Sequence, residues 1–269
     1  MKKIITIGVL ALCALATTAG IVKTTLIRAG EISLNPNYVI QLPGVGLVFM
    51  CSPDSAILLD APDLAAIHWL EPNDARDMVL CGEYMYAASS DSIYRVATDD
   101  SPRKFVARMD NEQFRIYPAN DSTFYVCTAD EEFSNLMVIN PGDGELFPLL
   151  AYNGPIQKVA ELGGRTMLWT DDMITMYNAD ADSLEYIFHS SLITDMALCQ
   201  MGVIVATTEC TYLIENSTTG GRIIPEGVQR IWWDNDDILY YLTLNGDFKA
   251  ITGIREAWLE RKHKSRTAP

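Results

Sequence analysis

The chain has 269 residues, of which 49% are apolar and 20% charged, and its formal net charge is -15. This balance supports a substantial core and excludes global disorder. The acid excess repels phosphate backbones, which makes nucleic acid a poor partner, and it favours solubility.

Met1-Lys2-Lys3 is a short basic start, and Ile4 to Ala16 is almost wholly apolar. Small residues follow at Ala14, Ala16, Thr17, Thr18, Ala19 and Gly20. This pattern predicts a secretory signal peptide over 1–19, cleaved after Ala16 or Ala19. The alternative is an uncleaved N-terminal membrane anchor. No charge falls between Lys3 and Lys23, a span just long enough to cross a bilayer, and Lys2 and Lys3 would stay cytoplasmic. Both versions export the remainder, to the periplasm or the cell surface, and a membrane contact is possible through this segment. No later stretch is long and apolar enough to span.

From residue 47 onward one grammar recurs: an apolar strand, a small polar turn, a second strand. The copies are Leu47-Val48-Phe49-Met50-Cys51-Ser52 with Ala56 to Leu59, and Tyr84-Met85-Tyr86-Ala87-Ala88 with Ser92 to Val96. Next come Phe124-Tyr125-Val126-Cys127-Thr128 with Asn135 to Ile139, and Thr166-Met167-Leu168-Trp169-Thr170 with Met173 to Tyr177. Val203-Ile204-Val205-Ala206-Thr207 with Thr211 to Ile214, and Ile238 to Leu242 with Phe248 to Ile251, complete the series. The anchors Cys51, Ala87, Cys127, Trp169, Ala206 and Leu242 stand 36 to 42 residues apart, the spacing of propeller blades. The runs are short, β-branched and aromatic, and Gly, Pro, Asn, Asp and Ser bound them, so the repeats are strands.

Each copy has room for four strands. Earlier strands are Asp77-Met78-Val79-Leu80-Cys81, the near-identical Asp195-Met196-Ala197-Leu198-Cys199, and Gln229 to Trp233. Later strands are Lys104 to Ala107, Leu146 to Leu150, Leu184 to Phe188 and Gly221 to Ile224. Pro148 suits an outer edge, because proline cannot donate to a ladder. The predicted fold is all-β: a six-bladed β-propeller of four-stranded antiparallel blades over residues 24–254. A β-sandwich is the rival, but it does not explain a period held six times.

The run Met85-Tyr86-Ala87-Ala88-Ser89-Ser90-Asp91-Ser92-Ile93-Tyr94-Arg95-Val96 resembles repeats of the NHL and YWTD groups of six-bladed propellers. Leu168-Trp169-Thr170-Asp171 is similar to a single YWTD tetrapeptide with leucine first. The resemblance implies propeller architecture and a tendency toward binding, and identifies no family.

Of the six cysteines, five survive cleavage, and there is no CxxC. Cys51, Cys81, Cys127 and Cys199 lie in apolar runs and read as buried single thiols. Three histidines, His68, His189 and His263, argue against a histidine-rich metal centre. No catalytic residue is assigned: there is no Gly-x-Ser-x-Gly, and His189-Ser190 has no evident acid partner. The candidate ligand-binding residues are the acids Asp91, Asp171, Glu209 and Asp236, which follow the anchor strands in register and should gather on one axial face. Such a ring of oxygens would suit Ca2+ or Mg2+. The competing reading makes them turn acids that bond their own backbone, with no cofactor.

Residues 255–269 turn basic and read as a tail or short helix. Trp258, Arg261 and Lys262 are candidate contacts for an acidic partner or an anionic membrane surface. Thr24 to Leu34 read as strand and are expected to supply the outer strand of the last blade, so that deleting 257–269 should change stability little. The functional expectation is an exported binding or scaffold module of the cell envelope, with a protein or small molecule as ligand. The alternative is a metal-assisted hydrolase of the lactonase or phosphatase kind with an axial acidic site.

Overall fold

The computed structural model describes the backbone of residues 12–17, 20–26, 38–42, 46–52, 55–60 and 65–70, and of 77–267 apart from short gaps at 97–102, 111–112, 130–131, 163, 179, 181–182, 217–218 and 234–236. Side chains are described within residues 77–263. The chain divides into two compact units, one of Pro36–Ser191 and one of Met1–Asn35 with Leu192–Pro269.

Two strands come first, β1 (Leu12–Thr17) and β2 (Gly20–Leu26). The central unit then holds four antiparallel meanders. They are β3 (Tyr38–Leu42), β4 (Gly46–Ser52), β5 (Ser55–Asp60) and β6 (Ala65–Leu70); then β7 (Asp77–Cys81), β8 (Tyr84–Ala88), β9 (Ser92–Val96) and β10 (Lys104–Arg108). β11 (Phe114–Pro118), β12 (Phe124–Ala129), β13 (Phe133–Asn140) and β14 (Glu145–Asn153) form the third; β15 (Ile156–Leu162), β16 (Arg165–Thr170), β17 (Met173–Asn178) and β18 (Ser183–His189) form the fourth. In the other unit β19 (Ile193–Cys199), β20 (Gly202–Thr207), β21 (Thr211–Asn216) and β22 (Thr219–Ile224) make a further four-stranded sheet. β23 (Val228–Trp233), β24 (Leu239–Thr243) and β25 (Phe248–Thr252) follow, and α1 (Ile254–Thr267) ends the described chain.

The described residues thus form five four-stranded blades of a β-propeller, not the six expected. The sixth repeat contributes only three strands, and its sheet has five, in the order β1-β2-β25-β24-β23. β2 pairs antiparallel with β25, from Lys23 opposite Thr252 to Leu26 opposite Lys249. The N-terminal stretch does join the last sheet, but its strand begins at Gly20 rather than Thr24, and residues 27–34 lie outside the described residues. Both blade count and register escape the repeat pattern, because the strand that completes this sheet comes from outside the repeats.

Among the described side chains, the second strands of the meanders are well covered. Every residue of β20 and of β24 is buried. A strand covered on both faces needs apolar side chains at consecutive positions, which is why these runs do not alternate. Fourth strands sit at the sheet edge and are more open: β18 exposes five of its seven residues. Pro148 on β14 stands opposite Met137 beside a register shift, on the edge strand of its sheet where proline is tolerated.

The core lies between consecutive sheets. Val79, Tyr86 and Ile93 meet Phe114, Ile116 and Phe124 between the β7 and β11 meanders. Tyr125, Cys127 and Leu136 meet Ile156, Val159 and Leu168 between the β11 and β15 meanders. In the other unit Ile204 and Leu213 meet Ile231, Leu239 and Tyr241. A fully covered side chain such as Phe124, 0% exposed, stabilises by about 1.5–3 kcal/mol relative to leaving it in water.

A hydroxyl closes several of the turns after the second strands. Ser89 Oγ donates to the Ser92 carbonyl at 3.1 Å, and Thr207 Oγ1 donates to the Cys210 carbonyl at 2.7 Å. Thr243 Oγ1 accepts from the Asp247 N–H at 3.0 Å. Cys81, Cys127, Cys199 and Cys210 are free and buried, as expected of single thiols.

Candidate functional site

Asp91, Asp171 and Glu209 occupy the same turn, between second and third strands, of three meanders. Asp91 and Asp171 therefore lie at the same edge of their sheets within the central unit; Glu209 belongs to the other unit. Each is tied into its own turn. The Asp91 carboxylate accepts from Ser92 Oγ at 2.8 Å and stands 3.3 Å from Arg108, while its carbonyl accepts from the Met109 N–H. Asp171 has φ 46°, and its carbonyl accepts from Trp169 Nε1 at 3.0 Å. The Glu209 N–H donates to Thr207 Oγ1 at 3.3 Å. Asp236 lies outside the described residues; beside it Asp237 pairs with Arg255 at 2.7 Å. His189, for which no acid was evident in sequence, stands 2.7 Å from the Asp172 carboxylate. Among the described residues no group of three His, Cys, Asp or Glu is placed to hold a metal ion.

The strands that adjoin most from sheet to sheet are the first strands, with the anchor strands β8, β12 and β20 also touching a neighbouring first strand. β3 meets β7, β7 meets β11 and β11 meets β15; in the other unit β19 meets β23. These first strands carry charge. Asp77 opens β7 and is 1% exposed. Both its oxygens accept from Arg115 on β11, one from Nε and the other from Nη2 at 2.8 Å. Asp195, 7% exposed, holds the matching position on β19 and accepts from the N–H groups of Met196 and of Ile231 on β23 at 2.8 and 2.9 Å. Arg115, Lys158, Asp195 and Arg230 stand opposite the anchors Cys127, Trp169, Ala206 and Leu242. This charged set was missed in sequence; the signal was the acid that opens both Asp-Met-x-Leu-Cys strands.

Burial governs the nearby thiols and phenol. Burial pushes the Cys127 thiol up to about 12 against the opposing pull of Arg115, and burial followed by Asp121 pushes Cys81 up to about 11. The Tyr125 hydroxyl is also raised by burial and bonds Thr166 Oγ1 at 2.9 Å.

The basic C-terminal stretch is helix α1, and it lies on its own unit. Ile254 is buried, and Ala257 and Trp258 pack against the core. Arg261 and Lys262 continue that face at helical spacing. Lys262 reaches Glu215 at 3.1 Å and lies 4.0 Å from the Trp258 ring centroid. Arg261 crosses Gly221 so closely that a methyl group there would stand 2.7 Å from Nη1. Trp258, Leu259, Lys262 and His263 line a hollow of about 230 Å³.

No protein-family model matches the sequence, and no curated protein is significantly similar to it. Solved structures resemble it in fold. The extracellular domain of a hybrid two-component system from B. thetaiotaomicron matches 93% of the chain with a TM-score of 0.59 at 14% identity. The chain spans 38% of the length of that protein. The Neurospora crassa Pan2 WD40 domain matches 80% of the chain and 88% of its own, with a TM-score of 0.55 at 9% identity. An oligogalacturonate lyase in complex with manganese matches 94% and 99%, with a TM-score of 0.56 at 11% identity. With the sheet topology, these likenesses establish the β-propeller fold.

Proposed function

We propose that the chain is an exported β-propeller that serves as a binding module in the cell envelope, in the periplasm or at the cell surface. The observation that carries this reading is the likeness over 93% of the chain to an extracellular domain. The lysine-led apolar segment from Ile4 to Ala16 supports it independently. Of the candidate ligand-binding acids, Asp91 is held by Ser92 in its own turn and by Arg108 on β10. A fusion of residues 1–30 to alkaline phosphatase, which is active only outside the cytoplasm, is the test. It should give activity in whole cells. A silent fusion with the native chain in the cytoplasm overturns the reading.

A second reading has one observation in its favour, the likeness to a lyase solved with manganese. Under it the chain is a metal-assisted enzyme, with Ca2+, Mg2+ or a related ion held by turn acids such as Asp91 and Asp171. Elemental analysis of dialysed native protein separates the two. A stoichiometric divalent ion favours the enzyme, and its loss on dialysis favours the binding module. The candidate partner face at Trp258, Arg261 and Lys262 stays with the binding reading, though the contacts of these residues tie them first to their own unit.

A further inference from the structure

We infer that Asn120 is a modification site, and that its side-chain amide carries an N-linked oligosaccharide on an exposed turn of the central unit. This goes beyond the binding reading above and rests on its export step.

Asn120-Asp121-Ser122 is an Asn-x-Ser tripeptide, the acceptor pattern for an N-linked glycan on a surface turn of an exported chain. The structure supplies that turn. The tripeptide joins β11 to β12, and all three residues are exposed. Asn120 Oδ1 accepts from the N–H groups of Ser122 at 2.9 Å and Thr123 at 3.0 Å. These two bonds fix the plane of the amide, and Nδ2 makes no hydrogen bond among the described residues. The Ser122 hydroxyl makes none there either. An asparagine that only closed its own bend would need the N–H of residue 122 and no hydroxyl. The backbone of the turn is held by the neighbouring sheet: Cys81 Sγ donates to the Asn120 carbonyl at 3.6 Å, and a methyl group at Gly82 would stand 3.0 Å from the Asp121 carbonyl.

The co-reactant is a lipid-diphosphate-linked oligosaccharide, used by a transferase outside the cytoplasm. Asn120 Nδ2 attacks the anomeric carbon and a C–N bond forms. The bond from that carbon to the phosphate oxygen breaks, the lipid diphosphate leaves with the electron pair, and Nδ2 gives one proton to the transferase. In its own sheet this turn lies at the edge opposite to the second-to-third turn, the position that Asp91 and Asp171 hold in their sheets. A glycan on Asn120 therefore leaves that candidate ligand edge open.

The test is peptide mapping by mass spectrometry of the native protein, recovered from the envelope fraction of its source cells. The peptide that contains Asn120 should carry added sugar mass, with fragmentation placing it on the asparagine. Expressed in the same cells, N120Q should lose that mass. S122A keeps both backbone bonds to Oδ1, should melt within about 2 °C of the parent, and should lose the mass as well; S122T should retain it. An unmodified peptide in protein recovered outside the cytoplasm overturns the proposal and leaves the export reading standing. So does a glycan that fragmentation places on Ser122 or that survives in N120Q, and so does one confined to the second such tripeptide, Asn216-Ser217-Thr218. An unmodified chain found in the cytoplasm overturns both readings.

Discussion

At the scale of single residues, the structure separates side chains that close turns from side chains that fill the core. Thr207 belongs to the first group: its hydroxyl donates to the Cys210 carbonyl and accepts from the Cys210 N–H at 3.1 Å. Thr207→Val keeps the shape and removes both bonds and the one accepted from the Glu209 N–H, so it should cost about 1–2 kcal/mol, read as a lower urea midpoint with an unchanged slope. The thiols give a second prediction. Burial raises Cys81 to about 11 and Cys127 to about 12, while an unfolded thiol titrates near about 8.5. Between these values the unfolded chain has lost protons that the native chain keeps. Stability from these groups is therefore whole below about pH 8.5 and falls as pH rises toward 11–12. The melting temperature should drop between pH 8 and pH 10.5, and Cys127→Ala should make that drop shallower. An equal drop in the variant would assign it to other groups. Site-resolved alkylation should also leave Cys81, Cys127 and Cys199 unmodified in native protein at pH 8.

At the scale of elements, the second strands were the legible part. A strand such as Val203 to Thr207, covered on both faces, must be continuously apolar, and that continuity marks the period in the sequence. Three things were not legible. The first strands mix buried apolar residues with charges such as Asp77 and Arg115, and a charge in a short strand reads by default as a solvent face. The turn acids could be named, but their partners, Arg108 for Asp91 and His189 for Asp172, lie on fourth strands whose pairing no local pattern gives. Helix α1 was read as a tail or short helix, but its seat on the unit was not legible, because its inward face is finished by Arg261 and Lys262, long side chains that read as solvated. The packing of this helix bears against the expectation that residues 257–269 can be removed at little cost. Trp258 packs against the core cluster with Ala257, so Trp258→Ala should cost about 2 kcal/mol. Gly221→Ala, which puts a methyl group where Arg261 lies, should also destabilise, and Arg261→Ala should relieve most of that loss. Additive losses in the double variant would remove the Arg261 seat from the account.

At the scale of the whole chain, the N-terminal segment has two roles that meet at one boundary. Residues 1–19 carry the export signal or anchor pattern, and β2 starts at Gly20 and pairs with β25. Among the described residues β1 pairs with β2 alone, from Leu12 opposite Thr25 to Thr17 opposite Gly20. Cleavage after Ala19 would take β1 away and leave the order β2-β25-β24-β23, a four-stranded sheet like the other five. A chain that starts at Gly20 should then melt within about 2 °C of the chain that keeps β1. A chain that starts after Leu26 is different. It loses the ladder to β25 and the contact of β2 with α1, and β25 becomes a bare edge whose N–H and C=O groups invite pairing with other chains. Its melting temperature should fall by more than about 5 °C, a loss of at least about 1 kcal/mol for a protein of this size, and it should aggregate at concentrations where the Gly20 form stays monomeric by light scattering. If the Gly20 form were instead the unstable one, β1 would be integral to the folded protein, and the segment would be retained rather than cleaved. If both truncated forms melted like the full chain, the three strands of the last repeat and α1 would suffice, and the β2–β25 ladder would contribute nothing to stability.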